Sequence, residues 1–159
     1  GMDLAFHDTY FVVAHFHYVM AIAAILAMFA GFYYWFAKMT GYMYSEGLAQ
    51  LQFWVFFVGV NVLFFPQHFL GMAGMPRRIP DYPEAYAGWN YVSSIGALIT
   101  IVGTVLFFVV IWKAFKDAVA APANPWGEGA TTLEWTVDSP APFHTHEQMP
   151  DMTTKAPAE

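Results

Sequence analysis

The sequence predicts an all-α membrane protein: three transmembrane helices followed by an extended polar C-terminal tail. Three observations carry this expectation. The composition is 58% hydrophobic and 19% aromatic with 11% charged residues, against about 25% charge in soluble domains. Three segments, 10–37, 48–70 and 88–117, are almost free of Asp, Glu, Lys and Arg and are long enough to cross the ~30 Å hydrocarbon core. Beyond residue 117, prolines and glycines punctuate an acidic stretch with no periodicity, as in segments that pack extended or stay disordered.

The same numbers exclude other classes. A formal net charge of −6 with no basic stripe argues against nucleic acid as a partner. The absence of cysteine removes disulfides and thiolate metal sites. The apolar run after residue 9 is longer than a signal-peptide core and has no basic leader, so no cleavable leader is expected.

Residues 1–9 form a polar outer-side segment that holds Asp3, His7 and Asp8. The first span, 10–37, contains His15 and His17 as its only titrating groups besides tyrosines. Ala23, Ala27 and Gly31 repeat at a spacing of four, a small-residue stripe that lets a second helix come close. Tyr33, Tyr34 and Trp35 form an interfacial belt ahead of Lys38.

An inner-side loop, 38–47, leads to the second span, 48–70, where Pro66 is expected to kink or stop the helix. The outer-side loop, 71–87, carries Arg77 and Arg78 between Pro76, Pro80 and Pro83, which stiffen it. The third span, 88–117, closes on Lys113 and Lys116, and the inner-side tail occupies 118–159. Three spans put Lys38, Lys113 and Lys116 on one side, read as the inside. Arg77 and Arg78 then share the outer side with Asp3, His7 and Asp8.

Ionisable residues inside a membrane helix mark functional sites by default. On an α-helix, His15 and His17 point about 200° apart, so they cannot easily share one ligand. A lone histidine of this kind is more often satisfied by its helix neighbours. A pair on opposite faces, framed by aromatics, favours two haem irons, one on each flank, since imidazole is a common axial haem ligand. Copper or zinc would each need further histidines that the chain lacks.

His7 and Asp8 read either as a surface pair or as ligands of an oxygen-preferring divalent ion such as Mg²⁺ or Mn²⁺. Arg77 and Arg78 suit either lipid headgroups or the bidentate binding of carboxylates such as haem propionates. His68 reads as structural, and His144 and His146 as solvated tail residues.

The stretch His7-Asp8-Thr9-Tyr10-Phe11-Val12-Val13-Ala14-His15-Phe16-His17-Tyr18-Val19 resembles the signature near the end of subunit I of haem–copper terminal oxidases, specifically cytochrome c oxidase. The likeness continues through Phe64-Phe65-Pro66-Gln67-His68-Phe69-Leu70-Gly71, Gly74-Met75-Pro76-Arg77-Arg78, Asp81-Tyr82-Pro83 and Trp89-Asn90. It reaches Leu133-Glu134-Trp135 and Phe143-His144-Thr145 in the tail. It implies that the three spans correspond to the last three of the twelve helices of that subunit.

The resemblance also implies roles. His15 becomes the axial ligand of haem a3 and His17 an axial ligand of haem a. His7 and Asp8 become ligands of Mg²⁺ (or Mn²⁺), completed by subunit II. Arg77 and Arg78 hold the haem propionates, and Asp3 lies near the haem a3 propionate. At Pro80 the family has, in some members, a backbone carbonyl contact to Na⁺ or Ca²⁺.

The copper B ligands, the cross-linked tyrosine and the second haem a ligand lie upstream in the family and are not in this sequence. The chain is therefore expected to be the C-terminal part of a divided or cut subunit. Its expected partners are the N-terminal part of subunit I, subunits II and III, the lipid bilayer, and cytochrome c as electron donor to the complex. The implied activity is reduction of O₂ to water coupled to proton pumping. A quinol oxidase of the same family is the alternative, and a non-catalytic haem-binding or structural membrane module is another. The implied location is the mitochondrial inner membrane or, alternatively, a bacterial plasma membrane.

Overall fold

The computed structural model describes residues 1–144. Thr145 and His146, with the rest of the tail to 159, lie outside the described residues. A short helix α1 (Met2–Phe6) precedes α2 (Tyr10–Phe16), which passes through a π-helical stretch (His17–Ile22) into α3 (Ala23–Thr40). Then come α4 (Glu46–Met72), a 3₁₀ turn (Glu84–Tyr86), α5 (Ala87–Asp117) and a second 3₁₀ turn (Leu133–Trp135). Three helical stretches have the length and apolarity to cross a membrane: Tyr10–Thr40, Glu46–Met72 and Glu84–Asp117. The chain divides into two compact units.

The first unit takes Gly1–Met28 and Glu46–Val109. Its entry is set by Thr9, the N-cap of α2, whose hydroxyl accepts from the Phe11 amide at 3.3 Å and donates to the Phe6 carbonyl at 2.6 Å. Such a cap satisfies an amide that the helix itself leaves unpaired.

Glycines set the close packing. A Cβ added at Gly71 would lie 2.0 Å from the Phe11 amide nitrogen, and one at Gly96 would lie 2.2 Å from that of Leu63. Gly59 and Gly103 sit somewhat less tightly, a Cβ there lying 2.7 Å from Thr100 and 2.9 Å from Phe56. Backbone contact through small residues is how helices associate where water gives no hydrophobic drive. The expected stripe at Ala23, Ala27 and Gly31 plays no such part among the described residues. Ala23 and Ala27 are exposed, and Gly31 faces the Trp35 ring of its own helix.

Pro66 does not stop α4, which continues six residues to Met72. Pro66 has no amide to give the carbonyl four residues back, that of Val62, and a neighbouring helix braces the adjoining residue. Ser93 on α5 donates to the Leu63 carbonyl at 2.7 Å and accepts from Gln67 Nε2 at 3.2 Å. Side chains of this kind let a membrane helix tolerate proline. Gln52 extends the polar cross-linking by donating to the Gly103 carbonyl at 3.3 Å.

The second unit takes Phe29–Ser45 and the chain from Val110 onward. The tail over 118–144 is ordered against its own chain. Trp135 is fully buried, its indole donating to the Tyr34 hydroxyl at 2.8 Å. Trp126 stacks on Tyr34 and donates to the Tyr34 carbonyl at 3.1 Å. Lys38 donates to the carbonyls of Val137 at 2.7 Å and Asp138 at 3.0 Å. Met43 and Ala121 make backbone bonds across an isolated bridge between Tyr42 and Ala120. Tryptophan indoles with polar partners explain how a sequence without periodicity still packs.

Candidate functional site

The N-terminal segment and the arginine loop are tied by both backbone and side chain. Tyr10 donates to the Met75 carbonyl at 3.0 Å, and Arg77 donates to the Asp8 carbonyl at 2.9 Å. Thr9 and Pro76 bridge between them. Asp8 has a φ of +55°, in the left-handed region that Asp tolerates better than most residues.

Asp8 Oδ1 accepts from Arg77 Nε at 2.7 Å and lies 2.6 Å from Nη2. Its other oxygen, Oδ2, lies 3.4 Å from His7 Nε2. His7 Nδ1 faces Asp3 Oδ2 at 4.0 Å. The Arg77 guanidinium hydrogen bond holds the Asp8 carboxyl below its ordinary value of 3.8, with the charges of Arg77, His7 and Arg78 acting in the same direction.

The two arginines are not equivalent. Arg77 is drawn in by Asp8, while Arg78, at φ +63°, is exposed and makes no hydrogen bond among the described residues. Pro80 is exposed in the same loop. No group of three or more His, Asp or Glu side chains that could hold a metal forms among the described residues.

His7 and Asp8 nevertheless fit a shared divalent ion. Two ligands about 2.0–2.1 Å from Mg²⁺ at right angles are about 3 Å apart, close to the 3.4 Å observed between Nε2 and Oδ2. Such a pair needs ligands from elsewhere to complete six-fold coordination.

The histidines of the first span differ as well. His17 is half-buried, its ring between Phe16 at 4.4 Å and Phe64 at 4.2 Å, the latter stacked at 16°. Its Nδ1 lies 2.7 Å from the Val13 carbonyl, so Nδ1 carries the proton and Nε2 presents its lone pair. Metal-ligating histidines are oriented in this way by a backbone acceptor, and the donor set fits a haem iron. His15 lies one residue before Phe16 with its side chain exposed and no hydrogen-bond partner among the described residues. The π-helical stretch begins at His17, a form that often marks functional sites.

Residues passed over in the sequence also matter. Tyr18 donates to Asn61 Oδ1 at 2.8 Å, joining the His17 segment to α4. His68 packs among Phe11, Tyr18 and Phe65, with Nδ1 3.1 Å from the Phe65 carbonyl, consistent with its structural reading. Isolated polar side chains in apolar runs, Asn61, Gln67 and Ser93 among them, were the available signal.

Long apolar helices with imidazoles set in the first define a multi-pass membrane protein with a histidine-bearing span. The comparisons narrow that class. The family described as Cytochrome C and Quinol oxidase polypeptide I matches residues 1–99. Cytochrome c oxidase subunit 1 of Cereibacter sphaeroides is 53% identical over 151 residues, covering 94% of this chain. The chain belongs to this family of oxidoreductase subunits. It spans 27% of that relative's length.

Proposed function

We propose that this chain is the haem-bearing C-terminal part of the catalytic subunit of a cytochrome c oxidase, which reduces O₂ to water and pumps protons. The observation that carries the reading is His17: an imidazole inside a membrane-length helix, its Nδ1 proton committed to the Val13 carbonyl. Bound, haem a and haem a3 supply electron transfer and the place of O₂ reduction.

This chain's residues bind and orient those groups. His17 holds haem a through Nε2, and Phe16 and Phe64 fix the plane of its ring. His15 holds haem a3 on the other flank. Arg77 and Arg78 pair with the propionates from the outer loop, and Asp3 lies near the haem a3 propionate. His7 and Asp8 supply two ligands to Mg²⁺ or Mn²⁺, with the remainder from subunit II and water. A backbone contact to Na⁺ or Ca²⁺ falls at Pro80, which is exposed in the arginine loop.

Copper B is held by the N-terminal part of subunit I, the obligate partner, with subunits II and III alongside and cytochrome c as donor. The bacterial relative supports a bacterial plasma membrane over the mitochondrial inner membrane. A quinol oxidase is the second reading, because the matching family is described by both donors.

The test is an optical spectrum of the purified assembly carrying this chain. His17→Ala is expected to remove the low-spin haem a band, and His15→Ala the high-spin component. Unchanged spectra in both variants would exclude the assignment.

A further inference from the structure

We propose that Asp8 is a positioning residue for Arg77, and that it couples the His7–Asp8 cation site to the anion that Arg77 holds. The inference rests on the functional reading above, but it concerns contacts within this chain. Three contacts converge on the pair. The Asp8 carbonyl accepts the Arg77 amide at 2.9 Å, and Oδ1 receives Nε at 2.7 Å and faces Nη2 at 2.6 Å. This fixes both the course of the loop at Arg77 and the direction of its guanidinium. Charge-assisted contacts with two nitrogens of one guanidinium have strong directional preference.

The geometry then divides the carboxylate. Oδ1 is committed to Arg77, and Oδ2 is turned to His7. One negative charge thus serves two cations. An ion bound to Oδ2 and His7 Nε2 withdraws charge from the Arg77 contact and leaves more of the guanidinium's charge for its anion. By linkage, an anion on Arg77 changes ion affinity by the same factor. The two neighbouring arginines acquire different duties. Arg77 is aimed and partly neutralised by Asp8, whereas Arg78 has no such partner among the described residues.

A double-mutant cycle in the assembled enzyme separates this role from simple ion ligation. His7→Ala removes an ion ligand and leaves the Asp8–Arg77 contacts in place. Asp8→Asn removes an ion ligand and weakens them. Haem midpoint potentials, from optical redox titration, and the electron paramagnetic resonance of Mn²⁺ loaded in place of Mg²⁺ are recorded for both.

The expected result is ion loss in both variants, with a potential shift in Asp8→Asn beyond that of His7→Ala. Most of that excess should disappear in an Arg77→Gln background. Equal potentials in the two single variants, or an excess that persists in full without Arg77, would overturn the proposal. If Asp8→Asn fails to assemble, Arg77→Lys keeps the charge and loses the second nitrogen contact. It should shift the potential in proportion to weakened Mn²⁺ binding, and an unshifted potential with unchanged Mn²⁺ spectra overturns the proposal. Failure of the functional reading shows differently, as an assembly without haem bands.

Discussion

At the scale of single residues, the cluster of His7, Asp8 and Arg77 has a definite pH response. Asp8 lies below its ordinary 3.8 because Arg77 bonds to its ionised form. A depressed folded-state value contributes stability above the unfolded value and loses it as pH falls through the folded one. The Asp8–Arg77 contact should therefore be lost only as pH falls below the ordinary carboxylate value. Infrared difference spectra of the wild type and Asp8→Asn check this: a protonated-carboxyl band assigned to Asp8 should reach half its height below pH 3.8. Its half-appearance above that value would contradict the pairing.

The types of these residues were legible in the sequence, and their partners were not. His7, Asp8, Arg77 and Arg78 carried chemistry by composition and loop position. The Asp8–Arg77 contact joins residues 69 apart in the chain, and no local pattern reports such a distance. The sequence also treated the arginines as a matched pair, whereas the fold gives Asp8 to one of them. The Val13 acceptor of His17, by contrast, lies one helical turn back and follows from helix geometry alone.

At the scale of elements, packing is decided by where the backbone comes close. Gly96 is a clear case, because a methyl there would meet the Val62–Leu63 backbone, which cannot yield as a side chain tip can. Gly96→Ala should destabilise the assembled protein by about 1–3 kcal/mol or more. Gly88→Ala in the same helix has nothing within 4 Å and should be near neutral. Thermal denaturation of the two purified variants checks the contrast, and equal midpoints would refute it.

The long apolar runs gave the three helices, since length and charge depletion are local properties. The bond from Ser93 on α5 to the Leu63 carbonyl beside the Pro66 turn was not legible, because it joins residues far apart in the chain. The Ala23–Ala27–Gly31 stripe meets no second helix among the described residues. Spacing shows which residues share a face, and the position of the partner decides whether that face is used.

At the scale of the molecule, the tail shows how far composition underdetermines packing. Proline, glycine and acidic residues suggested an extended segment, yet Trp126 and Trp135 each find Tyr34. Trp135→Ala should cost about 3–5 kcal/mol and expose 118–144 to limited proteolysis, read as faster cleavage in that stretch. Cleavage at the wild-type rate would remove Trp135 as the anchor of the tail.

The proposed function requires one copy of this chain of 159 residues to bring an imidazole to each of two haems. Its direct test is the haem content of the purified assembly, measured per copy of this chain by extraction and quantitative spectroscopy. Two a-type haems per chain are predicted. One haem or none in an intact assembly would contradict it.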